Sequence, residues 1–361
     1  PPYHITLARD VWVGDYTMVI PTGKTVHFVS HPEACGGDGT PFGGMPGSKN
    51  LGTPPVAHVH HTCQYSLYGI GDSQGVVGTQ YDPVTREALY RPGTGHTDGS
   101  LGGIFEVQPN GTLLVEDVIL HSSVQERGGA LNVNHADVQV VNCEFRANAA
   151  ASYGGAVYSL ISDLYLENST FDGNEALAGG AIYNDRGQLA TENVTFAANV
   201  ADERNGGSVY SLMGTMHLFN ATFYNNTAKS GGAVYNEEGD LTMSHSIFYE
   251  NVADWNGGAV YNHYGNIHAS NCSMTDNLVY HKGGAIHNHY GNVDVDASNF
   301  YCNLARWQSY DYGTLPITKF LGRRAVEIND LDRAGNAIYH RYSDSNGAAE
   351  GSAELTPTNL A

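Results

Sequence analysis

Positive charge is what this sequence has least of. Its 361 residues carry 17 Lys and Arg against 37 Asp and Glu, a formal net charge of −20. Only Lys24, Lys49, Lys229, Lys282 and Lys319 are lysines, and they form no polybasic patch. Nucleic acid needs a basic face, so it is not an expected partner. Long apolar runs are also missing: no stretch reaches the roughly 18 residues of a membrane-spanning helix, and no membrane span is expected. Pro1-Pro2-Tyr3 shows neither the basic start nor the apolar core of a secretory leader, and a processed secreted chain would begin in the same way. Apolar residues at helical spacing are absent over any useful length, which removes helix-based fold classes.

What is abundant is glycine, 44 residues of it. Eight Gly-Gly pairs begin at Gly102, Gly128, Gly154, Gly179, Gly206, Gly231, Gly257 and Gly283, a step of 25–27 residues. A second series runs in phase: Phe145, Phe171, Phe196, Phe223, Phe248, Met274 and Phe300, each with Asn three positions later. A fixed period of this length marks a repeat architecture. Within each repeat two alternating apolar runs are out of phase, as in Leu189, Thr191 and then Val194, Phe196. Alternation means strand, and the break in phase means a corner. With the Gly-Gly-Ala-Val stretch as a third strand, each repeat reads as three strands and three corners. That is one coil of an all-β parallel β-helix, with equivalent residues stacking about 4.8 Å apart.

Three regions follow. Residues 1–100 are not periodic and are expected to form an N-terminal cap and the first irregular coils. Residues 101–303 are the regular solenoid. Residues 304–361 hold an insertion from Trp307 to Arg324, a degenerate last coil at Gly335 to Tyr339, 52 residues after Gly283, and a tail.

The motifs Gly179-Gly180-Ala181-Ile182 with Phe196-x-x-Asn199, and Gly283-Gly284-Ala285-Ile286 with Phe300-x-x-Asn303, resemble the repeat of the chlamydial polymorphic outer membrane proteins. The resemblance covers about 102–303. It implies a right-handed parallel β-helix and a secreted, surface-exposed, adhesive or structural rod. In that bacterial family the helix is an adhesive passenger on an autotransporter barrel. The alternating membrane strands of such a barrel do not occur in this sequence.

Several residues are candidates for function. Asn110, Asn168, Asn193, Asn220, Asn225 and Asn271 stand in N-glycosylation sequons. Four of them precede the Phe column by three residues, so covalent N-glycans would form a stripe on one corner. Asn also suits a β-corner for its own sake. The Phe-x-x-Asn asparagines read as a structural amide ladder rather than a binding ladder. Tyr158, Tyr183, Tyr210, Tyr235 and Tyr261 form a column just after an inward Val or Ile. They read either as an exposed subunit- or glycan-contact stripe or as stacked, half-buried rings that stabilise the sheet. Trp307, Tyr310 and Tyr312 in the insertion are of residue types enriched at interfaces.

Five cysteines are present. Cys35 and Cys63, both in the irregular N-terminal part, are the expected disulfide. Cys143 and Cys272 lie five repeats apart at an interior corner and read as buried thiols. Cys302 lies two after the Phe column, near a turn. No cofactor or metal is expected. His58, His60 and His61 cluster, and His263, His287 and His289 recur, but no surrounding carboxylate or Cys spacing matches a known site. Asp202, Glu203 and Asp254 are the nearest approach to the paired acids of a polysaccharide-active enzyme, but the acids are scattered and Lys and Arg are nearly absent from the coils. These features together read as a non-enzymatic extracellular structural glycoprotein on the cell surface or an appendage, self-associating into a filament or with other copies of surface proteins. A monomeric adhesin or carbohydrate-binding rod, and a polysaccharide lyase, hydrolase or epimerase, are the alternatives.

Overall fold

A computed structural model of the chain describes residues 2–7, 17–30 and 103–305 with their side chains, and the backbone alone at 11–14, 65–69, 327–328, 338–343 and 350–354. The described residues contain strands and turns and no helix. They form a β-solenoid of about nine turns with parallel sheets. Each coil pairs in register with the next: Phe171 lies beside Phe196, Phe196 beside Phe223 and Phe223 beside Phe248.

The coil has four strands rather than the three expected from the alternating runs. In one repeat these are Gln188–Glu192, Thr195–Ala197, Val200–Ala201 and Val209–Leu212. Stacked, they give a long-strand sheet of ten strands, a phenylalanine sheet of eleven, a short sheet of eight and a tyrosine sheet of eleven. The short sheet escaped the sequence pattern because several of its strands are two residues long and rich in alanine, too short to alternate.

The N-terminal segment joins three of these sheets. Tyr3–Leu7 pairs with Thr25–Ser30, which pairs with Thr112–Glu116; Met18–Ile20 pairs with Phe105–Val107; Tyr65–Gly69 pairs with Val118–His121. At the other end Ile338 lies beside Ile286, 52 residues earlier in the chain, and Glu350–Glu354 adds an antiparallel edge strand. The insertion from Trp307 to Arg324 lies outside the described residues, as do Cys35, Cys63, Tyr310, Tyr312, His58, His60 and His61.

The core is a set of axial columns. Phe145, Phe171, Phe196, Phe223 and Phe248 are fully buried and stacked face to face, with ring centroids 4.5 to 5.0 Å apart. Each buried aromatic of this size contributes about 1.5–3 kcal/mol of transfer free energy. The two glycines of a Gly-Gly pair are there for different reasons. Gly206 has φ of 72°, a left-handed conformation. A Cβ on Gly207 would be driven into the carbonyl oxygen of Gly232 in the next coil.

Candidate functional site

The corner between the long-strand and phenylalanine sheets needs one residue in the left-handed region. Asp117, Asn142, Asn168, Asn193, Asn220, His245, Asn271 and Ala297 fill it, with φ between 47° and 58°. Asparagine tolerates this conformation better than other non-glycine residues. Asn110 and Asn225 adopt it at two other corners, with φ of 59° and 55°. All six sequon asparagines therefore occupy positions where backbone geometry alone favours Asn. Asn110, Asn193, Asn220 and Asn271 are exposed, and Asn168 and Asn225 are half-buried. On three consecutive coils the amides bond one another: Asn193 Nδ2 donates to Asn168 Oδ1 at 3.1 Å, and Asn220 Nδ2 to Asn193 Oδ1 at 2.6 Å.

Inside the next corner Asn148, Asn174, Asn199, Asn226, Asn251, Asn277 and Asn303 form the expected amide ladder, all buried. Asn174 Nδ2, for example, donates to Asn199 Oδ1 and to the Phe145 carbonyl, both at 3.0 Å. A second buried ladder has a sequence signal that the repeat pattern did not bring out. Asn236 Nδ2 donates to Asn262 Oδ1 at 2.7 Å, and Asn262 Nδ2 to Asn288 Oδ1 at 2.5 Å. Each also donates to the carbonyl of a glycine three residues on, Gly239 and Gly265. The signal is Asn-x-x-Gly at the end of the tyrosine strand. It is interrupted where Ser159 and Ser211 replace Asn.

The tyrosine column stands outside the main core, yet it is not an open stripe. Tyr158, Tyr183, Tyr235 and Tyr261 are buried and Tyr210 is half-buried. From Tyr183 to Tyr261 the rings stack at 4.8–4.9 Å, and His287 continues the stack at 4.9 Å. Their own faces cover one another, and Tyr153, Ala178 and Leu160 wall in the first two rings. Desolvation raises the phenol pKa of Tyr183, Tyr210 and Tyr235 well above its ordinary value. For Tyr210 the hydrogen bond it donates to the Glu237 carboxylate adds to this.

The same physics governs the interior thiols. Cys143 and Cys272 are buried and free, and burial pushes the Cys143 thiol up to about 12 and raises that of Cys272. Such thiols are inert packing groups. Cys302 is exposed and free. His263 and His289 stack at 5.1 Å, with Glu237 3.5 Å from His263 Nδ1. Among the described residues no group of three or more His, Cys, Asp or Glu has the geometry to hold a metal.

Where the short sheet turns toward the Gly-Gly corner the chain projects as an axial rim. Its successive rungs pair Arg127 with Tyr153, Tyr153 with Ala178, Asn205 with Ser230, Ser230 with Asn256, and Asn256 with Lys282. Asp202, Glu203 and Asp254 are exposed on this rim, the first two separated from the third by two coils. An open cleft of about 320 Å³ lies between the rungs, lined by Glu203 to Asn205, Lys229, Ser230, Trp255 and Asn256.

Three stretches, 168–185, 220–237 and 245–263, match the Chlamydia polymorphic membrane protein repeat. Each begins at or near the left-handed corner residue and runs through the aromatic column, the buried Asn and Gly-Gly to the tyrosine strand. The chain thus carries repeats of this type. It is also similar to the probable autotransporter YfaL of Escherichia coli (strain K12), 36% identical over 83 residues. That match covers 21% of this chain and 7% of the relative's length. No solved structure gives a significant match.

Proposed function

We propose that this chain is a non-enzymatic extracellular structural glycoprotein, a protomer that self-associates into a surface filament or appendage. One observation carries the reading: the distinctive side chains of the repeat serve contact between coils. The Phe stack, both Asn ladders and the Tyr stack all run along the axis and each joins a coil to the next. The large pKa displacements belong to tyrosines of the stack, to Tyr165 beside Glu192 and Glu167, and to a core thiol, all displaced toward the neutral form. Shifts in this direction keep phenol and thiol neutral and do not poise an acid or base near neutral pH.

The likeness to a membrane protein repeat and to a probable autotransporter supports a cell-surface or extracellular place. The four exposed sequon asparagines supply attachment points for N-glycans. A rod with two unlike ends favours heterologous contacts between copies, which extend into fibres when they do not close. Negative-stain electron microscopy of native, unheated material tests this. Regular fibres with an axial repeat of a few tens of Å are expected, whereas isolated short rods would overturn the filament reading.

A further inference from the structure

The axial rim holds most of the cations of a cation-poor rod, interspersed with the exposed acids Asp202, Glu203 and Asp254. Between residues 103 and 305 the Lys and Arg residues are Arg127, Arg146, Arg186, Arg204, Lys229 and Lys282. Arg146 is paired with Glu144, and Arg186 with Asp185 at 2.8 Å. The other four lie on or beside the rim. Among the described residues Arg127, Arg204 and Lys229 have no carboxylate in ion-pair range, although the chain has a net charge of −20.

Each of these three rests on an aromatic ring instead. The Arg127 guanidinium lies 5.7 Å from the Tyr153 centroid and 5.4 Å from that of Tyr158. The Arg204 guanidinium lies 5.8 Å from Tyr153 and donates to its hydroxyl at 3.2 Å. Lys229 Nζ lies 5.6 Å from the Trp255 centroid. A ring face attracts a cation without neutralising it. All three side chains are exposed, and each is held against a ring rather than in an ion pair, although Glu203 lines the same cleft as Arg204 and Lys229. Arg204 and Lys229 sit on adjacent coils, about 4.8 Å apart along the axis, and both line the cleft.

We infer that this rim is a binding groove for an extended polyanionic glycan lying along the rod. Arg127, Arg204 and Lys229 meet its carboxylate or sulfate groups, and Asn205, Asn256 and the cleft acid Glu203 meet its hydroxyls. Nucleic acid fits less well, because bases need open ring faces to stack on. Here Trp255 carries Lys229 against its ring and stacks on His281 at 5.3 Å, and Tyr153 carries Arg127 and Arg204. The cleft takes its lining from three successive coils along one line, which suits a thin chain better than the flat sheet of a second rod. The inference does not depend on filament formation.

The test is binding of polygalacturonate and of dextran sulfate to the native protein, with neutral dextran and single-stranded poly-dT as comparisons. Both acidic glycans are expected to bind, more weakly as salt approaches about 0.15 M, and dextran is not. Replacing two charge-assisted contacts by Arg204→Gln with Lys229→Gln should weaken binding by about tenfold or more. Arg146→Gln with Arg186→Gln, which removes the same charge from other corners, should change it less than twofold. Circular dichroism verifies each variant's fold, and Arg127→Gln, at the far end of the rim from the cleft, gives an independent reading with a smaller loss. The inference is overturned if neither glycan binds, if both double variants weaken binding equally, or if poly-dT binds as tightly as the glycans. It is also overturned if the rim variants abolish self-association while glycan binding is unchanged.

Discussion

The Asn199 side-chain amide donates to Asn226 Oδ1 at 3.1 Å and to the Phe171 carbonyl at 3.0 Å, while its own Oδ1 accepts from the backbone and the side-chain amide of Asn174. One buried residue thus joins three consecutive coils. Asn199→Ala would leave the Phe171 carbonyl and both Asn174 donors short of partners, at about 1–3 kcal/mol for each group that finds no substitute. The expected loss is about 3 kcal/mol or more, read as a lower denaturation midpoint. Asn225→Ala, at a half-buried left-handed corner, should cost only the conformational penalty of about 1–2 kcal/mol. Equal losses in the two variants would show that the ladder adds nothing beyond turn geometry.

Glycine positions separate steric from conformational demands. A Cβ on Gly207 meets the Gly232 carbonyl oxygen, and the backbone of Thr227 closes the other side. Nothing lies within 4 Å of a Cβ built on Gly173, whose φ is 63°. Gly207→Ala is therefore expected to force adjacent coils apart and prevent stable folding. Gly173→Ala should cost about 1–2 kcal/mol, and Gly173→Asn less. Thermal unfolding monitored by circular dichroism distinguishes them, and a stable Gly207→Ala would contradict the tight corner.

Much of this fold was legible because its physics is repetitive. Gly-Gly, the Phe column and Phe-x-x-Asn each mark a position where one residue type fits the stack, and the beat survives substitutions such as Met274 for Phe. The short sheet was not legible, since Glu175–Ala176 and Val200–Ala201 are too brief to show a period. The tyrosines show the limit of alternation. It places Tyr183 on the outward face but says nothing of what covers that face, and the cover is Tyr158, Tyr210 and the rim residue Tyr153. The rim was missed because its partners, Arg204 and Tyr153, lie 51 residues apart and neither recurs with the period.

The sequon column carries a geometric limit on glycosylation. Asn168, Asn193 and Asn220 lie on consecutive coils, about 4.8 Å per step, and a branched glycan is wider than that. N-glycans on Asn193 and Asn220 would also sit on the Nδ2 atoms that donate to Asn168 and Asn193, leaving each a single N–H. In a eukaryotic secretory host, intact-mass and peptide mapping should find no molecule modified at all three sites. Asn271, whose coil neighbours are His245 and Ala297, should be occupied most fully among exposed corner sites. Full occupancy of all three adjacent sites would mean that the coil spacing or the corner exposure is wrong.

Alkaline pH tests the tyrosine stack. Free phenols have a pKa of 10.0, and desolvation raises the folded values of Tyr183, Tyr210 and Tyr235 far above it. Below pH 10 both folded and unfolded chains hold these protons, so the contribution of the stack is fully present. As pH rises from there toward the folded values, the unfolded chain releases protons that the folded chain keeps, and stability falls. Ultraviolet absorbance should therefore show these phenols ionising together with a loss of β circular dichroism. Tyr210→Phe loses the hydrogen bond to Glu237, worth about 1 kcal/mol at neutral pH, yet its stability should decline less steeply above pH 10. Glu237→Gln removes the carboxylate that disfavours the phenolate and should also flatten the decline. If all 23 tyrosines ionised near the free value with the β signal intact, the rings would have to be open to water, and the column would regain its reading as an exposed contact stripe.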